Sequence, residues 1–177
     1  MNISFYKKSI LVSSLVFCAI FCVSAQIKVQ PAEVASTAPS YKAENAGWLV
    51  NLDEAYAKSK ETGRPIMANF TGSDWCGWCK RLTANVFIHE AFKQWADKNV
   101  VLLELDFPRG KFIPENIKGQ NASLQQAFQV QGFPTIWLFR LDKNESTNQY
   151  TIESLGKTGY MATVEEFTSG IDQMIQK

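Results

Sequence analysis

The run Val-Val-Leu-Leu-Glu-Leu at residues 100–105 constrains this chain most. A strand with one wet face alternates apolar and polar residues. This run does not alternate, so it predicts a strand covered on both faces. Residues 65–70 and 135–139 (TIWLF) read as further strands, and 150–154 as a strand that can return antiparallel after a turn at Asp142, Lys143, Asn144 and Glu145. Helical patterns alternate with them. Asn51 with Glu54 marks an N-terminus whose helix ends near Gly63, and residues 76–86 and 89–98 are helical in period. Ile113, Ile117, Leu124 and Phe128 share one helical face, and Thr163 with Glu166 forms a capping box ahead of the stripe Val164, Phe167, Ile171, Met174 and Ile175. Such alternation predicts an α/β fold, a central mixed β-sheet flanked by helices on both faces.

The 177 residues suit one folded domain. A net charge of +1 gives no electrostatic case for nucleic acid or an acidic membrane surface. The N-terminus reads as a secretory signal over residues 1–25. Lys7 and Lys8 are followed by an apolar run at 10–23, then Val23-Ser24-Ala25 as a cleavage site before Gln26. The apolar run is short of the roughly 20 residues a membrane span needs. An uncleaved anchor is the rival reading. A lipoprotein is rejected, because Phe17 and Phe21 precede Cys18 and Cys22. Residues 26–46, rich in Ala, Ser, Pro and Glu, read as a flexible leader, and the folded part as 47–177. Removal of 1–25 leaves only Cys76 and Cys79 as cysteines.

That pair, in Trp75-Cys76-Gly77-Trp78-Cys79-Lys80, carries the chemistry. Two cysteines three apart on a first helical turn can close a small disulfide ring. The N-terminal one meets the positive end of the helix dipole and its unpaired N–H groups, which stabilise a thiolate. Cys76 is therefore the candidate nucleophile, and Cys79, one turn deeper, the resolving thiol. Zinc wants four ligands, and beside the pair only His89 and carboxylates without ligand spacing are on offer. Haem attachment needs His after the second cysteine, where Lys80 stands. A purely structural disulfide would close too small a loop to restrict the unfolded chain much. No metal and no organic cofactor are expected, the redox-active disulfide serving instead.

With a strand before the motif and a helix after it, the chain resembles the thioredoxin superfamily over about 47–177. The stretch Phe70-Thr71-Gly72-Ser73-Asp74-Trp75-Cys76-Gly77-Trp78-Cys79-Lys80 resembles secreted bacterial thioredoxin-like disulfide oxidoreductases in particular. So do Asp106-Phe107-Pro108 and Gly132-Phe133-Pro134-Thr135. The resemblance implies a thioredoxin fold, with Pro134 as a cis-proline facing the cysteines. It further implies that the Phe133 backbone pairs with an extended substrate segment, that Trp75 shields the disulfide, and that Gly159-Tyr160 closes the other side of the groove. Ordinary core packing is the competing reading for Phe133 and Tyr160. Lys80 either helps stabilise the thiolates or is a solvated helix lysine. Trp75 and Trp78, if exposed, suit the binding of extended chains.

Two positions depart from the family pattern. Gly77-Trp78 replaces the usual Gly-Pro, so the redox poise does not carry over. The buried acid that many members place on the strand before the motif falls on Asn69, which cannot take a proton. Asp74 and Glu104 are candidate substitutes. Asp74 reads more simply as a solvated loop residue and Glu104 as an edge or paired acid, and His89 as a surface or capping residue. The leading expectation is an extracytoplasmic thiol–disulfide oxidoreductase, a reductase or isomerase rather than an oxidase. It would be a monomer, periplasmic or secreted, acting on protein or peptide disulfides and served by a membrane-linked electron donor or acceptor. The alternatives are a non-catalytic binding or assembly module and a soft-metal chaperone. Asn121-Ala122-Ser123 and Asn144-Glu145-Ser146 match glycosylation acceptors, a pattern common by chance.

Overall fold

The computed structural model describes residues 41–144, 146, 147 and 149–176. The expected signal segment at 1–25 and most of the leader lie outside them. Among the described residues no helix is long and apolar enough to cross a membrane.

The element order is α1 (Leu52–Thr62), β1 (Ile66–Thr71), α2 (Gly77–Leu82), α3 (Glu90–Asn99), β2 (Val101–Asp106), α4 (Glu115–Ala127), β3 (Thr135–Asn144), β4 (Gln149–Thr158) and α5 (Val164–Ile175). The four strands form one sheet in the order β2-β1-β3-β4. β1 and β2 are parallel, with Ile66 opposite Val101 and Asn69 opposite Glu104. β3 runs antiparallel to β1 and to β4. The sheet is therefore mixed, as the alternation required.

Both faces are covered. On one, Ile66, Ala68 and Phe70 of β1 join Val101, Leu103 and Leu105 of β2 under Ala55 of α1 and Leu124 of α4. On the other, Met67, Ile136 and Leu138 pack with Leu82, Phe92, Phe167 and Ile171 from the helices α2, α3 and α5. All six residues of β1 are buried, which explains why neither β1 nor β2 alternates in sequence. The outer edge of β2 is not left bare. Leu49 forms a parallel bridge to Leu103, donating its N–H to Leu102 O (3.0 Å) and accepting from Glu104 N–H (2.8 Å).

Local signals set the helix ends. Asn51 Oδ1 accepts from the N–H groups of Asp53 and Glu54, and Gly63 closes α1 at φ 71°, a conformation that favours glycine. Thr163 caps α5 by accepting from Glu166 N–H (3.2 Å), while the Glu166 carboxylate reaches back to Ala162 N–H rather than to that of Thr163.

Four expectations need correction. The helix expected over 76–86 stops at Leu82, and a π-helical turn, Thr83–Phe87, follows. In this wider turn the consecutive residues Val86 and Phe87 are both buried in the core. Ile113 precedes α4 rather than belonging to it, though it is buried. The turn expected at 142–145 falls later, because β3 continues through Asn144, whose side chain accepts from Ser146 and Thr147 N–H. The leader also ends sooner than expected. Ala43 packs on the core, and Glu44 and Asn45 hydrogen-bond to a buried acid on β2.

Candidate active site

The end of β1 and the start of α2 place the cysteine pair. Gly72 O accepts from Cys76 N–H (2.8 Å), tightening the turn that leads into the helix. Cys76 is the N-cap residue of α2 and accepts through Sγ from Cys79 N–H at 3.1 Å. The sulfur thus occupies the place where helix N–H groups lack intrahelical partners, the arrangement that favours a thiolate. Cys76 and Cys79 are joined as a disulfide with Cα atoms 5.3 Å apart. Both are buried, at 5% and 4% exposure, so in the oxidised pair the two sulfurs' residues hardly differ in exposure.

Aromatic rings rim the pair. Trp75 is 38% and Trp78 54% exposed, as the sequence reading required of a docking surface. Trp75 is fixed from several sides. Its Nε1 donates to Phe107 O (2.8 Å), Phe133 meets it edge-on at 5.8 Å, and the Arg109 guanidinium lies 4.1 Å above its ring. The indole also folds onto Gly72, where a Cβ would come within 2.4 Å of it. Trp78 packs on Tyr160 with ring centroids 5.0 Å apart and carries Arg81 at 4.7 Å. The Tyr160 hydroxyl accepts from Asn85 Nδ2 (3.1 Å).

The peptide bond between Phe133 and Pro134 is cis. Phe133 stacks on Phe107 at 5.1 Å, and Gly159 lies beside Pro134, whose carbonyl a Cβ there would meet at 3.6 Å. Three loops therefore converge: the head of α2, the turn at Gly132–Pro134, and Gly159-Tyr160. Of the residues singled out in the sequence, Trp75, Trp78, Phe133, Pro134 and Tyr160 lie where these loops meet. Gly77 is exposed in the first turn of α2, with open space where a Cβ would stand. Lys80 is also exposed, its Nζ donating to Asp74 O (2.7 Å), so a neighbouring backbone carbonyl engages its ammonium.

Asp74 lies partly exposed in a loop, as expected, while Glu104 departs from its expected setting. Asp74 is not a free loop carboxylate. It accepts from Arg109 N–H (3.0 Å) and Gly110 N–H (2.6 Å), and these backbone donors, Gly110 first, hold its carboxyl below the usual range. It pins the loop that carries Arg109 over Trp75. Glu104 is neither at an open edge nor paired with a cation. It is 1% exposed and accepts from Glu44 N–H (2.7 Å), Asn45 N–H (3.2 Å) and Asn45 Nδ2 (2.7 Å). Burial pushes its carboxyl up, outweighing these donors. Asn69 is buried beside it in register, and its Oδ1 has no protein hydrogen-bond partner. His89 Nε2 lies 3.0 Å from Ala84 O on the surface, and His89 precedes α3 without capping it through its side chain.

Sequence reasoning missed Gly72, Arg81, Asn85 and Arg109. Gly72 carried a faint signal, since it stands in the same short stretch as Trp75, and so did Arg109, which directly follows Asp106-Phe107-Pro108. No group of three or more His, Cys, Asp or Glu residues placed to hold a metal occurs among the described residues.

A CxxC disulfide capping a helix, a cis-proline turn whose Phe133 meets Trp75, and a mixed four-stranded sheet together define a thiol–disulfide oxidoreductase of thioredoxin fold. The chain belongs to the thioredoxin-like family, whose model matches residues 47–140. It is 32% identical over 115 residues to the disulfide bond reductase DsbH of Chlamydia pneumoniae, which covers 65% of this chain and 68% of that protein. It is 32% identical over 117 residues to the thiol:disulfide interchange protein DsbD of Colwellia psychrerythraea, covering 66% of this chain but 17% of that protein. A solved DsbH oxidoreductase superposes with a TM-score of 0.63 at 25% identity, over 78% of this chain and 92% of that one. The enzyme is thus of the Dsb type.

Proposed function

We propose that this enzyme is an extracytoplasmic protein-disulfide reductase or isomerase in a bacterial envelope. Cys76 attacks a substrate disulfide to form a mixed disulfide, and Cys79 resolves it, leaving the pair oxidised and the substrate reduced. The substrate is an extended segment of a protein or peptide, laid against the Phe133 backbone at the Pro134 turn and between the Trp75 and Trp78 rings. A membrane-linked partner supplies electrons to the pair. The redox-active disulfide is the sole cofactor the reaction needs. Trp75, Trp78, Phe133, Pro134 and Tyr160 bind substrate, and Gly77 leaves the approach to the sulfurs clear.

The observation that carries this reading is the placement of Cys76 Sγ as the cap of α2, which favours the thiolate on the attacking sulfur. The name of the DsbH relative, a disulfide bond reductase, supports the direction of electron flow. The test is twofold. Insulin reduction by the wild-type chain should vanish in Cys76→Ser. Equilibration of the pair in glutathione buffers should give a potential nearer the roughly −270 mV of thioredoxin than the roughly −120 mV of the oxidant DsbA. A potential near the latter would reverse the direction.

A further inference from the structure

We propose that Glu104 is the proton acceptor for Cys79, acting across a cleft that both residues line. The cleft, of about 290 Å³, is lined by Cys79, Lys80 and Thr83, by Thr71 and Glu104 of the sheet with Ser73, and by Glu44 and Asn45. A water takes roughly 30 Å³ in the liquid, so there is room for a short relay between thiol and carboxylate. The acid missing at Asn69 has in effect moved one strand across, because Asn69 and Glu104 are register partners on β1 and β2.

The setting is built for a group that changes protonation. Three donors from residues 44 and 45 fix the carboxylate, and no lysine or arginine pairs with it among the described residues. The charged and titratable groups around it are Asp106 on its own strand, Tyr41 and Glu44 from the segment before α1, Lys80 from α2, and Lys111 beyond β2. Lys111 is engaged by Glu44 at 2.5 Å and Lys80 by Asp74 O. From β1 the neighbours are the uncharged Asn69 and Thr71. Burial first, and then the Asp106 charge, favour the neutral carboxyl, which brings its proton affinity towards that of a thiol.

The step balances as follows. In the mixed disulfide, Cys79 S–H gives its proton through water to the Glu104 carboxylate. The sulfur's electron pair forms the Cys76–Cys79 bond as the bond from Cys76 to the substrate sulfur breaks. The substrate sulfur leaves with that electron pair, reduced, while the cysteine pair is oxidised. Glu104 then returns its proton to solvent, and the substrate thiolate takes one up. The proposal rests on exchange through Cys76 and Cys79 and holds for either direction of electron flow.

The test compares Glu104 with Glu104→Gln. In a Cys76→Ser chain, the pH dependence of Cys79 alkylation by iodoacetamide should show two inflections with Glu104 present, because thiol and carboxyl titrate as a coupled pair. With Glu104→Gln it should show one, at lower pH, since the neighbouring negative charge that opposes the thiolate is gone. In the two-cysteine enzyme, stopped-flow should show release of a disulfide peptide slowed about tenfold at neutral pH, at the low end for loss of an acid–base group. Attack by Cys76, read separately in Cys79→Ser, should be unchanged, and adding Asn69→Asp should restore release. Identical Cys79 profiles with and without Glu104, or attack and release slowed alike, would overturn the proposal. If Glu104→Gln does not fold, the Glu104 profile decides alone, and a single inflection there is fatal. Full insulin reduction by Cys76→Ser would instead sink the exchange reading itself.

Discussion

The two faces of the sheet have different jobs. Under α1 and α4, β1 and β2 present Ile66, Ala68, Phe70, Val101, Leu103 and Leu105, an unbroken apolar layer. On the face towards α2, the same strands begin apolar with Met67 and Leu102 and then turn polar. Alternation puts Asn69, Thr71, Glu104 and Asp106 there, all buried, at the C-terminal ends of the parallel strands. Asp106 uses both its oxygens on Ser73, accepting from the N–H (2.8 Å) and from Oγ (2.6 Å), and so ties β2 to the turn that delivers Cys76. One face of this strand pair is apolar along its whole length. The other gives up apolar area to position sulfur and protons.

Substitutions on each face should therefore fail differently. The largest expected effect is that of Cys76→Ser, which abolishes disulfide reduction while leaving the thermal unfolding of the reduced chain nearly unchanged. Phe70→Ala, on the apolar face, should behave in the opposite way. It should cost about 3–5 kcal/mol in denaturant unfolding, with kcat of the remaining folded enzyme preserved. If Phe70→Ala instead lowered kcat in proportion to stability, the division between faces would be false. Gly72→Ala should fall between these two. A methyl group 2.4 Å from the Trp75 indole must displace the ring, so KM for a protein disulfide should rise several-fold, with a stability cost of about 1–3 kcal/mol.

A smaller effect concerns pH. Burial raises the Glu104 carboxyl above its value in the unfolded chain, so charging it costs folding free energy. Relative to Glu104→Gln, the wild-type chain should lose stability as pH rises from about 4.5 through the raised pKa, and regain it below. Urea midpoints across that range would check the sign. The smallest expected change is that of Asp74→Asn. It weakens the acceptor for Arg109 and Gly110 N–H and loosens the loop over Trp75, raising KM less than Gly72→Ala does.

Much of this division was legible in sequence, because it is written in local patterns. The unalternating 100–105 run required two covered faces, and Asn51 and Thr163 announced their helices by residue type alone. For Trp75 and Trp78 the sequence left packing and exposure open, and both are exposed beside the cysteines. What stayed hidden depends on distant partners. Glu104 is satisfied by Glu44 and Asn45, about 60 positions away in a segment whose composition reads as linker. Asp74 is satisfied by a loop 35 residues on. The length of β3 was underestimated because Asp142 and Lys143 resemble turn residues. There they extend a ladder with β4, where Lys143 lies opposite Tyr150 and its ammonium sits 5.2 Å from the Tyr150 ring centroid.

The cap of α2 has a consequence for how the backbone senses electrons. Cys79 N–H donates to a disulfide sulfur in the oxidised chain, and to a far better acceptor once that sulfur becomes an anion. Reduction therefore tightens the first turn of the helix, and deuterium uptake at the Cys79 amide should slow when the protein is charged with electrons. The oxidation state of one side chain is thus felt by the peptide framework before any substrate arrives.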